Sequence, residues 1–114
     1  MAYSDSELQK IDKLIGDRFR NRVPPEIQNE LRNEVRIEEQ NVFIAEVRPR
    51  WDKPDEWLSL DFAKFRYTRS QDLWKLYWKK ASGKWEYYQP KGEAKNLKTL
   101  AEVIDQDQYG AFFG

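Results

Sequence analysis

A chain of 114 residues with 39% apolar, 35% charged and 15% aromatic side chains is the size of one domain with one core, and it is too rich in bulky rings to stay disordered. It holds neither cysteine nor histidine, which excludes disulfides, thiolate nucleophiles, histidine bases and the usual nitrogen and sulfur zinc sites. Net charge is zero but uneven: residues 62–91 carry eight Lys and Arg against two acids, a balance of +6, with −4 before them and −2 after.

No basic start followed by an apolar run marks a secretory leader, and the longest stretch without a charge is the tail Gln108 to Gly114. A cytoplasmic protein without a membrane partner is the expectation. Ser4-Asp5-Ser6-Glu7 forms a capping box, so a helix begins there. Leu8, Ile11, Leu14, Ile15 and Phe19 recur at helical spacing along one stripe. Val23-Pro24-Pro25 stops that helix, and Pro25 is placed to open a second, shorter one with Ile27 and Leu31.

From Asn33 the period becomes two. A hairpin with a three-residue loop, Glu39-Gln40-Asn41, sets Ile37 against Phe43 and Val35 against Ala45. The segment between Arg48 and Leu60, with Pro49, Pro54 and clustered charges, reads as a long loop tucked down by Trp51 and Trp57. Strands are predicted over 62–68, 73–80 and 84–89, with turns at Ser70-Gln71-Asp72 and Ala81-Ser82-Gly83. Leu97, Leu100, Ala101 and Ile104 mark a closing helix capped by Asn96.

The predicted fold is therefore α+β: a five-stranded antiparallel meander with N-terminal and C-terminal helices packed on one face. One domain covers 1–114, with N-terminal helices in 5–31, the sheet in 33–90 and the last helix and tail in 96–114. The heavier apolar alternation, Ala63, Phe65, Tyr67, Trp74, Leu76, Trp78, Trp85 and Tyr87, is the predicted core face. It sets Phe65 against Leu76, Trp78 against Trp85 and Leu76 against Tyr87.

The opposite face then gathers Arg48, Lys64, Arg66, Lys75, Lys79, Tyr77 and Tyr88, with Lys84, Glu46 and Glu86. Opposed cations, Arg66 against Lys75 and Lys79 against Lys84, cost about 0.2 to 1 kcal/mol a pair. Cations interleaved with rings suit a phosphate backbone with stacked bases. The same pattern also describes a merely solvated face, where long cationic stems cover rings.

Catalysis is weakly supplied. Glu46-Val47-Arg48 has the spacing of an acid-x-lysine nuclease strand but carries arginine, and Asp61 and Lys64, three apart, fall on opposite faces of a strand. Glu46 and Glu86 sit among cations that suit salt bridges better than a general acid. No glycine-rich phosphate loop is present.

The runs Glu46-Val47-Arg48-Pro49-Arg50-Trp51, Ala63-Lys64-Phe65-Arg66-Tyr67-Thr68-Arg69 and Trp74-Lys75-Leu76-Tyr77-Trp78, with Lys84-Trp85, Tyr88 and the ending Phe112-Phe113-Gly114, resemble a bacterial family of uncharacterised proteins, domain of unknown function 3024. The resemblance implies a bacterial single-domain protein and brings no catalytic residue or cofactor. Together these readings point to a non-catalytic binding module for an anionic partner, nucleic acid or an acidic protein, with no metal and no cofactor. A protein-interaction or dimerisation module, using the same face or the Phe112-Phe113 tail, is the alternative, and a metal-dependent hydrolase or nuclease is the third reading.

Overall fold

The computed structural model describes residues 3–113; Gly114, the last residue of the tail motif, lies outside them. The chain forms α1 (Asp5–Ile11), a π-helical turn (Asp12–Gly16), α2 (Asp17–Arg20) and a 3-10 turn (Pro25–Ile27) before the sheet. The strands are β1 (Arg32–Glu38), β2 (Asn41–Pro49), β3 (Trp57–Thr68), β4 (Leu73–Lys79), β5 (Trp85–Tyr87) and β6 (Glu93–Ala94), and α3 (Leu97–Gln106) closes the fold. Strands β1 to β5 are an antiparallel meander, as expected. The short β6 is an addition: it pairs with β4 beyond the end of β5, setting Ala94 against Trp74.

The capping box forms as the sequence predicts, with Ser4 Oγ accepting from the Glu7 amide and Glu7 accepting from the Ser4 amide. The stripe it launches delivers Ile11, Ile15 and Phe19 onto the sheet, where they meet Val42, Ile44, Phe65 and Leu76 and, from α3, Leu100 and Ile104. Asn96 caps α3 by accepting from the Lys98 amide at 2.9 Å. Asp105 then ties α3 to the first helical segment, accepting from Arg18 at 2.7 Å and Arg22 at 3.0 Å. The second helix shrinks to the 3-10 turn at Pro25, and its Ile27 stays exposed. No described helix is long and apolar enough to cross a membrane.

Two registers differ from the sequence reading. Glu38 pairs with Asn41 across a two-residue loop whose first residue, Glu39, has φ +55°, so Ile37 faces Val42 and Val35 faces Ile44. The physical reason is burial: Val42 and Ile44 are fully buried against the helices, which sends Phe43 to the other face. In the second case Trp78 faces Glu86, not Trp85, while Lys79 faces Trp85 and Tyr77 faces Tyr87. The turn decides it. Gly83, at φ +87°, donates to Lys80, and Lys80 donates to Lys84, so the three-residue loop places Lys80 opposite Lys84 and every later side chain one position over.

β3 starts five residues earlier than expected and reaches the core through a bulge, since Ile44 faces Ala63 while Ala45 faces Asp61. The extra residue, Phe62, packs on Phe113 with ring centroids 5.2 Å apart. Of the two tryptophans expected to tuck the segment between β2 and β3 down, Trp57 opens β3 with the Arg32 guanidinium 4.5 Å from its ring centre, whereas Trp51 does not hold the loop. Trp51 is 94% exposed. Arg50 organises the loop instead: its guanidinium binds Asp52 and Glu56, and its amide donates to the Glu56 carbonyl at 2.8 Å.

Candidate functional site

Alternation along β3 and β4 commits Ala63, Phe65, Leu76 and Trp78 to the helices, so Lys64, Arg66, Lys75, Tyr77 and Lys79 project from the opposite, outer face. The register interleaves charge with rings. Lys64 lies between Phe43 on β2 and Tyr77 on β4, Tyr77 lies between Lys64 and Tyr87, and Lys79 faces Trp85. Lys64 Nζ stands 4.7 Å from the Tyr77 ring centre and 5.1 Å from that of Trp85, with Lys79 Nζ 5.6 Å from Trp85. Phe43 leans on Trp85 at 5.9 Å, and Tyr77 meets the edge of Tyr87 at 6.1 Å. Each such cation–ring contact contributes about 0.5 to 1 kcal/mol where water competes.

Arg36 on this face is paired with Asp61 and Glu38, but the cations of β3 and β4 are not paired. Arg66 stands opposite Lys75, as the sequence predicts, and among the described residues no carboxylate lies within ion-pair distance of Lys64, Arg66, Lys75 or Lys79. Glu93 faces Lys75 in the register without pairing to it. The contrast with the rest of the molecule lies in the arginine: every arginine other than Arg66 has a carboxylate partner, whereas among the described lysines Lys80 alone has one. Burial, and then the neighbouring Arg66, pull the Lys64 ammonium below the ordinary lysine range. An anion docked here would favour the charged ammonium and so offset both influences. At the edge of the patch, opposite Arg66, Asn41 Oδ1 is buried without a hydrogen-bond partner.

Four of the residues expected on this face lie elsewhere: Tyr88 and Arg48, and with them Glu86, opposite Trp78, and Glu46, opposite Leu60. Tyr88 is 3% exposed and packs in the core on Phe112, 5.1 Å between ring centres, because the shifted β4–β5 register turns it inward. Arg48 faces Leu58 on the helix-bearing side and pairs with Glu46, since it is five residues from Phe43 and therefore on the other side of β2. In their place stand Trp85 and Tyr87, read from the sequence as core, and Phe43. The turn at Gly83 is the signal that would have found the first two.

The carboxylates considered for catalysis are dispersed. Glu46 pairs with Arg48 on β2, Asp61 is held by both terminal nitrogens of Arg36 at 3.1 and 3.0 Å, and Glu86 lies 3.7 Å from Lys80 on β5. Among the described residues no group of three or more acids gathers as a metal site. A recess of about 470 Å³ opens between α1, the start of α3 and the edge of the sheet, lined by Tyr3, Tyr67, Trp74, Lys10 and Lys95. Its acids are engaged: Glu7 binds Arg69, and Asp72 accepts from Tyr67 at 2.6 Å. The Arg69 guanidinium holds the Glu7 carboxyl down at about 2, and burial pushes the Tyr3 phenol up to about 12.

A family model matches residues 3–114. The chain belongs to DUF3024, a domain of unknown function. Neither a curated protein nor a solved structure matches it. The match spans every residue of the outer face.

Proposed function

We propose that this domain is a non-catalytic binding module whose outer sheet face takes a single-stranded nucleic acid. The observation that carries the reading is that Arg66, which among the described residues is the one arginine without an ion pair, stands with the likewise unpaired Lys64, Lys75 and Lys79 on the face where Tyr77, Trp85 and Tyr87 are half-buried beside them. Opposed cations raise the energy of the empty face, and a polyanion laid across them removes that repulsion while releasing its own counterions. The half-exposed rings supply planar surfaces for bases, worth about 1 to 3 kcal/mol for each stacked base. An acidic protein would answer the charges but leave the rings without stacking partners, which is why nucleic acid is the preferred partner. A cytoplasmic location in a bacterium, with nucleic acid at hand, belongs to the same proposal.

Fluorescence anisotropy with labelled DNA and RNA oligonucleotides at low salt tests it. Binding in the micromolar range or tighter is expected. No binding at about tens of micromolar protein, near the upper limit for non-specific sites at moderate salt, would remove the nucleic-acid reading.

A further inference from the structure

β3 is paired unevenly. Its second half, Ala63 to Thr68, lies between β2 and β4, but residues 57–61 pair with β2 alone, and among the described residues no strand meets their outer edge. Trp57, Leu58 and Leu60 flank that edge at 38%, 43% and 56% exposure. Sheet edges are ordinarily blunted by charge, brevity or cover. The β1 edge carries Arg32, Glu34, Arg36 and Glu38, and β5 and β6 are three and two residues long. The stretch 57–61 has none of these protections: its one charge, Asp61, is already occupied by Arg36.

We propose that this edge is the docking surface for a second copy of the chain, pairing residues 57–61 antiparallel with themselves about a twofold axis at Ser59. A twofold axis between antiparallel strands stands perpendicular to the sheet, so it preserves faces and must pass through a residue position. Centred on Ser59, it sets Leu58 against the partner's Leu60 and Leu60 against the partner's Leu58, joining four leucines on the helix-bearing side. Trp57 then faces the partner's Asp61, so no like charges oppose each other. Centring on Leu58 sets Leu60 against Glu56, and centring on Leu60 forces the bulged Phe62 into the ladder, so neither alternative matches as well.

Charge beyond the ladder agrees with this register. β4 ends at Lys79 beside the start of the open edge, as Ala63 faces Trp78. The partner's Trp57 lies alongside Asp61, which brings the partner's Asp55, the acid of that loop that Arg50 does not hold, toward the Lys79-Lys80 end of β4. Acid meets base at both symmetric positions. Faces being preserved, the two basic faces end on the same side of the joined sheet. The pairing itself does not depend on what those faces bind.

Sedimentation equilibrium of the full chain, from low to high micromolar, tests the proposal together with two variants. The wild type is expected to dimerise in that range, as suits a short edge. The protein has no cysteine, so Ser59→Cys introduces a single thiol. Antiparallel partners sit about 4.5 to 5.5 Å apart at Cα, within disulfide reach, and the variant should cross-link to a dimer under mild oxidation. Leu60→Lys places a charge at two symmetric positions and should raise the dissociation constant about a hundredfold, tenfold at each, while its melting at concentrations where the wild type is monomeric matches the wild type because Leu60 is already exposed. A wild type that stays monomeric overturns the proposal. So does a dimer that tolerates Leu60→Lys or fails to cross-link through Ser59→Cys, because it would use another surface or register.

Discussion

Replacing Tyr88 and Tyr87 in turn tests which face each ring occupies, on which the composition of the outer site depends. Tyr88 is 3% exposed, belongs to the core cluster and lies against Phe112. Truncating a fully buried aromatic removes its transfer free energy and leaves a cavity, so Tyr88→Ala should cost about 3 to 5 kcal/mol. At about 4 °C per kcal/mol for a domain near this size, the melting temperature should fall by roughly 12 to 20 °C. Tyr87 is half-buried on the outer face, and its main ring contact is the edge of Tyr77 at 6.1 Å. Such a pair contributes about 0.5 to 1.5 kcal/mol, and Tyr87→Ala should cost little more. Chemical denaturation of the two variants beside the wild type measures the difference. A larger loss for Tyr87→Ala than for Tyr88→Ala would refute the register and return Tyr87 to the core.

Gly92 approaches the end of β5 so closely that an added Cβ would lie 2.6 Å from the Tyr87 ring and overlap the Tyr88 carbonyl oxygen; Gly92→Ala should cost about 1 to 3 kcal/mol in the same melts. Trp51→Ala should leave stability within about 0.5 kcal/mol of the wild type, since the ring is 94% exposed and Arg50 holds the loop. Glu7 is depressed to about 2 from an ordinary 4.5, so its stabilising pairing with Arg69 is complete above about pH 4.5 and is lost as pH falls through 2. The stability gap between the wild type and Glu7→Gln should therefore be level near neutral pH and narrow between pH 4.5 and 2, as denaturant titrations across that range will record.

Signals that act over a few residues were readable in advance. The Ser4 capping box, the Ile11-Ile15-Phe19 stripe and the Asn96 cap all rest on contacts within one or two turns, and each forms as expected. Lys64, Arg66, Lys75, Tyr77 and Lys79 were also placed on one face correctly, because alternation within β3 and β4 needs no information from other strands. Tyr88 was misplaced because hydrophobicity was allowed to choose the face of β5, whereas the chain geometry at Gly83 chooses it and a shift of one residue reverses every side chain. Arg48 differs for a related reason: Val42 and Ile44, not Phe43, fill the space under the helices, which turns Phe43 outward and Arg48, five residues on, to the helix-bearing side. The bulge at Phe62 and the two-residue β6 depend on long-range packing and carry no periodic signature of their own. The open edge of β3 was hidden in what looked like a proline-bearing loop.

The central claim, that unpaired cations on the outer face hold a polyanion, is tested most directly by the salt dependence of single-stranded oligonucleotide binding. If Lys64, Arg66, Lys75 and Lys79 each neutralise one phosphate, the logarithm of the binding constant should fall with the logarithm of salt at a slope of about −3, a loss of about fiftyfold between about 50 and 200 mM. Lys75→Ala and Arg66→Ala should each flatten that slope by about 0.7. Tyr77→Ala and Trp85→Ala should weaken binding by about 1 to 3 kcal/mol with the slope unchanged. Binding whose slope is the same in the wild type, Lys75→Ala and Arg66→Ala would contradict the account, because the phosphates would then be held by some other surface.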